Sequence, residues 1–169
     1  MGGAVAISAC GALVAPWAAV VIGLLAGVFV CAAAAALDRL KIDDAVGAIP
    51  VHLVGGGWGL LAVGIFANGN PASANWNGVA STVSGLLAAN SGGQGGVSQL
   101  LVQLLALVVI FAVSFGISFV IFKAMHAAGV MRVSPDVELA GLDVVEMGAE
   151  GYPADFEPSV ESLRSMTYP

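Results

Sequence analysis

The chain is 169 residues long, 59% hydrophobic and only 9% charged, with a mean hydropathy of +0.96; an ordinary soluble domain carries about 25% charge. Every charged side chain lies in residues 38–44 or beyond residue 122, which excludes a water-facing surface over residues 1–37 and 45–122. Five basic against eleven acidic residues give a net charge of −6 and no basic patch, which excludes nucleic acid as a partner.

This is the composition of a membrane protein. Residues 2–15 are apolar but too short to cross a bilayer, which takes about 20 residues, and Pro16-Trp17 ends them as an interfacial turn. Residues 1–15 therefore read as the end of a truncated transmembrane helix. The N-terminus lacks the basic region of a signal peptide, and Ala6 stands where a myristoylation signal needs Ser or Thr. Cys10 and Cys31 sit in apolar runs and read as small buried hydrophobes rather than a disulfide or a metal pair.

Residues 17–37 form the first full span, which ends at Asp38-Arg39 and carries Gly23 and Gly27 as a weak packing signal. Residues 38–44 are a short loop with Arg39 and Lys41. Residues 45–66 are a second span, interrupted only by Pro50, His52 and glycines. Residues 67–99 are an uncharged connection rich in Asn, Gly and Ser, irregular except for a short surface helix over Val83 to Ala88. Residues 100–123 are the third and most hydrophobic span, ending at Lys123. Residues 124–169 are an acidic tail, with a short amphipathic piece over Val137 to Val145 and a loosely ordered remainder from Gly148 onward. The expected fold class is all-α: a polytopic transmembrane helical bundle with three full spans and a partial one. The basic residues Arg39, Lys41, Lys123 and Arg132 place loop 38–44 and the tail on the cytoplasmic side and loop 67–99 outside. The chain then starts outside, which fits a fragment whose preceding span has been cut.

His52 is the one ionisable group in residues 45–122. An ionisable residue inside a span marks a functional site by default, because burying it in hydrocarbon is costly; the bland reading is a neutral imidazole bonded to a neighbouring helix. On an α-helix, Gly55, Gly56 and Gly59 share its face. They offer either a narrow lumen beside the imidazole or close helix packing of the Gly-x-x-x-Gly type. Pro50 sits early in the span, where a missing N–H does least damage, and Asp43-Asp44 are placed to cap the helix start. His126 reads as a wet residue at the end of the third span. A haem held by His52 and His126 fits poorly, because the two imidazoles differ in depth by roughly 10 Å. No nucleophile–base pair, phosphate loop or metal spacing is present, so the chain reads as no enzyme and as having no cofactor.

The run Leu40-Lys41-Ile42-Asp43-Asp44-Ala45-Val46-Gly47-Ala48-Ile49-Pro50-Val51-His52, then Gly55, Gly57-Trp58-Gly59 and Gly64-Ile65-Phe66, closely resembles ammonium transporters of the Amt/Mep/Rh family. A second match is Arg132-Val133-Ser134, Glu138-Leu139-Ala140-Gly141-Leu142-Asp143, Gly148 and Tyr152-Pro153. The resemblance implies an eleven-span fold with an outside N-terminus and a cytoplasmic C-terminus, a multi-pass cell-membrane protein assembled as a homotrimer with one pore per subunit. It implies that this chain is the C-terminal part, from the end of span eight through span eleven and the tail. It makes His52 the second histidine of a twin-histidine pore that conducts ammonium or ammonia. It further implies that Glu138, Gly141, Leu142 and Asp143 belong to a regulatory tail, and it brings a PII-type signalling protein as a partner at the cytoplasmic face. One departure is visible: Met147 stands where the family often has His.

Two other readings compete with transport. One is an ammonium-sensing membrane module, weakened by a tail too short for a signalling domain. The other is a structural membrane fragment in which His52 is only packing glue.

Overall fold

Among the described residues three helices are long and apolar enough to cross a membrane: Pro16–Arg39, Ile49–Phe66 and Val97–Ala127. They belong to an all-α chain whose computed structural model describes residues 1–70, 82–88, 95–142 and 147–148. The helices in order are α1 (Gly2–Cys10), α2 (Pro16–Arg39), a π-helical segment (Ile49–Gly55) that runs on into α3 (Gly56–Phe66), α4 (Val97–Ala127) and α5 (Pro135–Ala140). The chain divides into two compact units, Met1–Phe115 and Gly116–Pro169.

In the first unit the core lies where α1, α2 and α3 meet. Ala6 and Cys10 of α1, Ala18, Ile22 and Ala26 of α2, and Ala62 and Val63 of α3 are buried there. The buried residues of α2 recur every four positions, one stripe of the helix, as a single packed face requires. They are small because the backbones come close. A Cβ placed on Gly59 would lie 2.3 Å from the Ala6 carbonyl oxygen, so α1 and α3 touch main chain to main chain. The fit is steric, since apolar side chains gain little by leaving lipid for protein.

Helix α2 starts with Pro16 at its first turn, where a missing N–H costs nothing. It ends in a Schellman turn: Ile42 N–H donates to Leu37 O at 3.0 Å and Lys41 N–H to Asp38 O at 3.1 Å. Lys41 occupies the left-handed position at φ +55°, which for a side chain other than glycine costs about 1–2 kcal/mol.

The second span begins later than residue 45. Asp44 to Gly47 form a turn closed by Gly47 N–H to Asp44 O at 3.1 Å, and the helix proper follows it. Helix α4 is longer than residues 100–123 at both ends, running from Val97 to Ala127, so Lys123 and His126 are both helical, with the Lys123 ammonium 5.8 Å from the Phe119 ring centroid. Cys10 is buried, as its apolar run suggests, but Cys31 is exposed. Apolar context marks a membrane helix without saying which of its faces meets protein, and Cys31 lies off the packed stripe of α2.

The connection after α3 is more ordered than its composition suggests. Among its described residues before α4, Leu86–Ala88 is helical, as one 3-10 turn. On either side of it, Asn68 N–H donates to Leu13 O, Gly69 N–H to Val83 O, Gly85 N–H to Ala67 O, and Gly96 N–H to Ser84 O. Isolated bridges thus join residues 14 and 67, 68 and 84, and 84 and 95, and Ser84 is fully buried between them.

In the second unit, α4 ends in another Schellman turn, with Val130 N–H on Met125 O and Gly129 N–H on His126 O. Helix α5 follows, starting at Pro135 and not extending through the whole of residues 137–145; residues 143–146 lie outside those described.

Candidate functional site

The start of the second span is built so that no backbone N–H is left open. The Asp44 carboxylate accepts from Ala48 N–H at 2.8 Å and from Ile49 N–H at 2.7 Å. Residue 50 is proline and has no N–H. Val51 N–H donates to Gly47 O at 3.1 Å. The four groups that a helix start normally leaves unpaired are thereby all accounted for within the chain. Asp44 is the cap that the sequence suggests; Asp43 beside it is exposed.

From Ile49 to Gly55 the backbone is wound as a π-helix, with hydrogen bonds of the i→i+5 kind, before it tightens into α3. The junction is Gly56, whose N–H is shared between His52 O and Leu53 O. This winding changes which residues share a face. A π-turn advances fewer degrees per residue than an α-helix, so three residues no longer return the chain to the same side. His52 is exposed, whereas Pro50, Gly55 and Gly59 are buried. Gly55 lies against the Gly2 backbone and the Val30 side chain, Gly59 against Ala6, and Gly56 is 3.8 Å from Val5 when given a Cβ. The shared face expected for His52 and these glycines assumed 3.6 residues per turn throughout. Here Gly55 and Gly59 are buried against α1, while His52 is exposed.

The other side of the same segment forms one wall of an apolar cavity of about 580 Å³, lined by Phe29, Leu53, Val54, Gly57, Trp58, Leu61, Leu107, Val108 and Phe111. Trp58 fixes this wall. Its indole N–H donates to Ile22 O of α2 at 3.0 Å, and its ring meets Phe29 edge-on at 5.1 Å and Phe66 at 6.5 Å. Trp17 continues the row, 6.1 Å from Phe66. Such pairs each contribute about 0.5–1.5 kcal/mol beyond their burial. Sequence reasoning noted Trp58 only inside a motif. The signal that points to it is physical: an indole N–H in an apolar span needs an acceptor, and the nearest are carbonyls of a neighbouring helix.

The residues of the tail motif fall in the second unit. Arg132 and Glu138 form an ion pair, both exposed, so Glu138 meets a cation of its own segment. Gly141 ends α5 with φ +96°, a backbone conformation that favours glycine, while its N–H donates to Val137 O at 3.1 Å. Leu142 is exposed, and Asp143 lies outside the described residues. Among the described residues no group of three or more His, Cys, Asp or Glu side chains is placed to hold a metal ion.

Comparison with known proteins matches residues 1–152 to the Ammonium Transporter Family. The chain is 41% identical over 157 residues to "Ammonium transporter Amt2" of Archaeoglobus fulgidus, covering 90% of this chain and 31% of that protein. It is 35% identical over 146 residues to "Ammonium transporter 3" of Dictyostelium discoideum, covering 86% and 32% respectively. It is 32% identical over 162 residues to "Ammonium transporter 1 member 3" of Solanum lycopersicum, covering 94% and 34%. The chain thus spans about a third of the length of these relatives. With a family match that runs through α1, the π-helical segment with its histidine, and the tail motif, the chain belongs to the Ammonium Transporter Family.

Proposed function

We propose that the chain is part of a membrane transporter that conducts ammonium or ammonia, and that His52 lines the conducting path. The observation that carries this reading is the family match over residues 1–152, with an exposed histidine in a span otherwise free of ionisable groups. The physical logic is that the intact cation loses its hydration on entering hydrocarbon, at a cost of many kcal/mol. A neutral imidazole beside a narrow apolar path donates one hydrogen bond and accepts another, which suits the deprotonated amine. His52 takes the part of the second member of a twin-histidine pair. Gly55, Gly56 and Gly59 hold the span against α1 so that its histidine side stays fixed.

The same reading makes the chain the C-terminal part of an eleven-span subunit that assembles as a homotrimer. Loop 38–44 and the tail lie in the cytoplasm, where Arg39, Lys41, Lys123 and Arg132 are retained by the positive-inside tendency. The tail segment Glu138 to Asp143 acts as a regulatory contact, and a PII-type signalling protein meets the cytoplasmic face. The relatives compared above are named as ammonium transporters, which points away from an enzymatic role.

The test is uptake of labelled methylammonium by transporter-deficient cells expressing the chain in its full-length context. Replacing His52 with Ala is expected to remove most uptake at matched membrane level. Unchanged uptake overturns the assignment of His52.

A further inference from the structure

We infer that Asp44 is a positioning residue for His52: its carboxylate, by holding the N–H groups of Ala48 and Ile49, sets the π-winding that turns His52 away from the α1-facing side of its own span. The functional meaning of that orientation rests on the reading of His52 as a pore residue; the geometry does not.

Three observations converge. The Asp44 carboxylate takes both of the open N–H groups at the helix start, one on each oxygen. The π-winding begins at Ile49, one of those two residues, and ends at Gly55. Across that stretch His52 is exposed while Pro50 on one side and Gly55 on the other are buried. In an α-helix, His52 would lie one turn before Gly55 and Gly56 on the same side, and that side is occupied: Gly55 abuts the Gly2 backbone, and Gly59 has no room for a Cβ beside Ala6. An imidazole directed there would meet α1. The wider winding moves it off that side.

The winding needs an anchor because π-turns are rare single-turn features that normally give way to α-geometry. Pro50 supplies no N–H, so only Ala48 and Ile49 remain to be held, and Asp44 holds both. Without the carboxylate the first turn has two open donors. Their nearest alternative acceptors are the carbonyls four residues back, at Asp44 and Ala45, so the 44–47 turn is drawn into the helix and i→i+4 winding carries through Ile49, which brings His52 over Gly55 and Gly59.

Thiol labelling reads this directly. In a chain with Cys10→Ala and Cys31→Ala, the side chain at position 52 is reported by His52→Cys, and an outward position on α2 by Val20→Cys; Val20 is 62% exposed. Adding Asp44→Ala is expected to slow maleimide labelling at position 52 by about tenfold, the population shift that loss of an ordinary helix cap brings. Labelling at position 20 should not change. Asp44→Glu, which keeps both oxygens, should restore the rate at position 52 to within about twofold, since the same two donors can be met. An unchanged rate at position 52 in Asp44→Ala overturns the inference. Should Asp44→Ala lose its helical signal in circular dichroism, Asp44→Asn decides instead: one acceptor oxygen is expected to give an intermediate rate, and a rate equal to that with Asp44 overturns it. Uptake separates the two readings. If His52→Ala leaves methylammonium uptake intact, the pore assignment fails while the labelling result stands on its own.

Discussion

Helices α1 and α4 are both apolar, yet they are used in opposite ways. Helix α1 has nine residues and buries Gly2, Ala6 and Cys10. Helix α4 has thirty-one residues and buries none. In the first unit it meets α3 at two places, Leu100 against Gly64 and Leu107 against Gly57. Hydrophobicity does not explain the difference, since α4 contains the most apolar window of the chain. Side-chain size does. α1 presents Gly2, Ala6 and Cys10 at four-residue spacing, and the second span answers with Gly55 of the π-helical segment and Gly59 of α3, so the backbones meet. α4 is rich in Leu, Val, Ile and Phe and comes close to α3 in main chain only near its start, where a Cβ on Gly64 would lie 2.7 Å from the Leu100 Cα; farther along, side chains stand between them and leave the 580 Å³ cavity beside Trp58 and Leu107. In a membrane, where lipid is as apolar as leucine, close fit of small residues decides what packs.

The largest effect is expected where that fit is tightest. Gly59→Ala puts a Cβ 2.3 Å from the Ala6 carbonyl oxygen and 3.0 Å from the Ala6 Cα. Those are backbone atoms of a helix and cannot swing aside. Overpacking of this kind costs about 1–3 kcal/mol, which should lower the midpoint of denaturant unfolding followed by circular dichroism in micelles. A variant as stable as the parent means that α1 and α3 are not in main-chain contact, and the comparison loses its stronger half.

What the sequence makes legible follows from the same physics. Charge placement marks roughly where the apolar helices lie: α2 ends at Arg39 and the next helix follows Asp43-Asp44, but α4 runs past Lys123 to Ala127. Asp44 as a cap is legible too, since a carboxylate before a helix that opens with proline has few other partners. The π-winding is not. Helical periodicity is read at 3.6 residues per turn, and one wide turn displaces His52 from the glycines without leaving a trace in the pattern. Nor is the buried Ser84 legible. Its neighbourhood of Asn, Gly and Ser reads as open loop, but the backbone bonds among Ala67, Gly69, Ser84 and Gly96 close it in. The burial of Cys10 and the exposure of Cys31 show the limit most simply: both sit in similar apolar runs, and only the partner across the interface tells them apart.

A smaller effect is expected at Trp58, which joins α3 to α2 by one hydrogen bond to Ile22 O and one edge-on ring contact with Phe29. Trp58→Phe keeps an aromatic ring and removes the indole N–H. The Ile22 carbonyl is already inside a helix, so it is not left wholly unpaired, and the loss should be that of one neutral hydrogen bond, about 0.5–1.5 kcal/mol. The same unfolding measurement reads it. A loss as large as that of Gly59→Ala places the weight of the α2–α3 contact on the aromatic row instead of on small-residue packing.

The smallest effect tests the other half of the comparison. Leu105 lies on α4 and is 64% exposed, with no part in the cavity wall that Leu107 and Val108 help to form. Leu105→Ala removes a side chain that has lipid or detergent around it whether or not the bundle is assembled, so the usual cavity penalty of a large-to-small change does not arise. Alanine is also the best helix former, which offsets what little contact is lost. The unfolding midpoint should move by no more than about 0.5 kcal/mol in equivalent free energy, the range of surface substitutions. Leu107→Ala makes the contrast within the same helix: its Cδ1 lies 3.4 Å from a Cβ built on Gly57, so it removes a contact that the bundle does make and should cost more than Leu105→Ala. Equal losses at the two positions mean that exposure does not rank the positions of α4, and that α4 is held by its whole surface instead of by the few residues that touch α3.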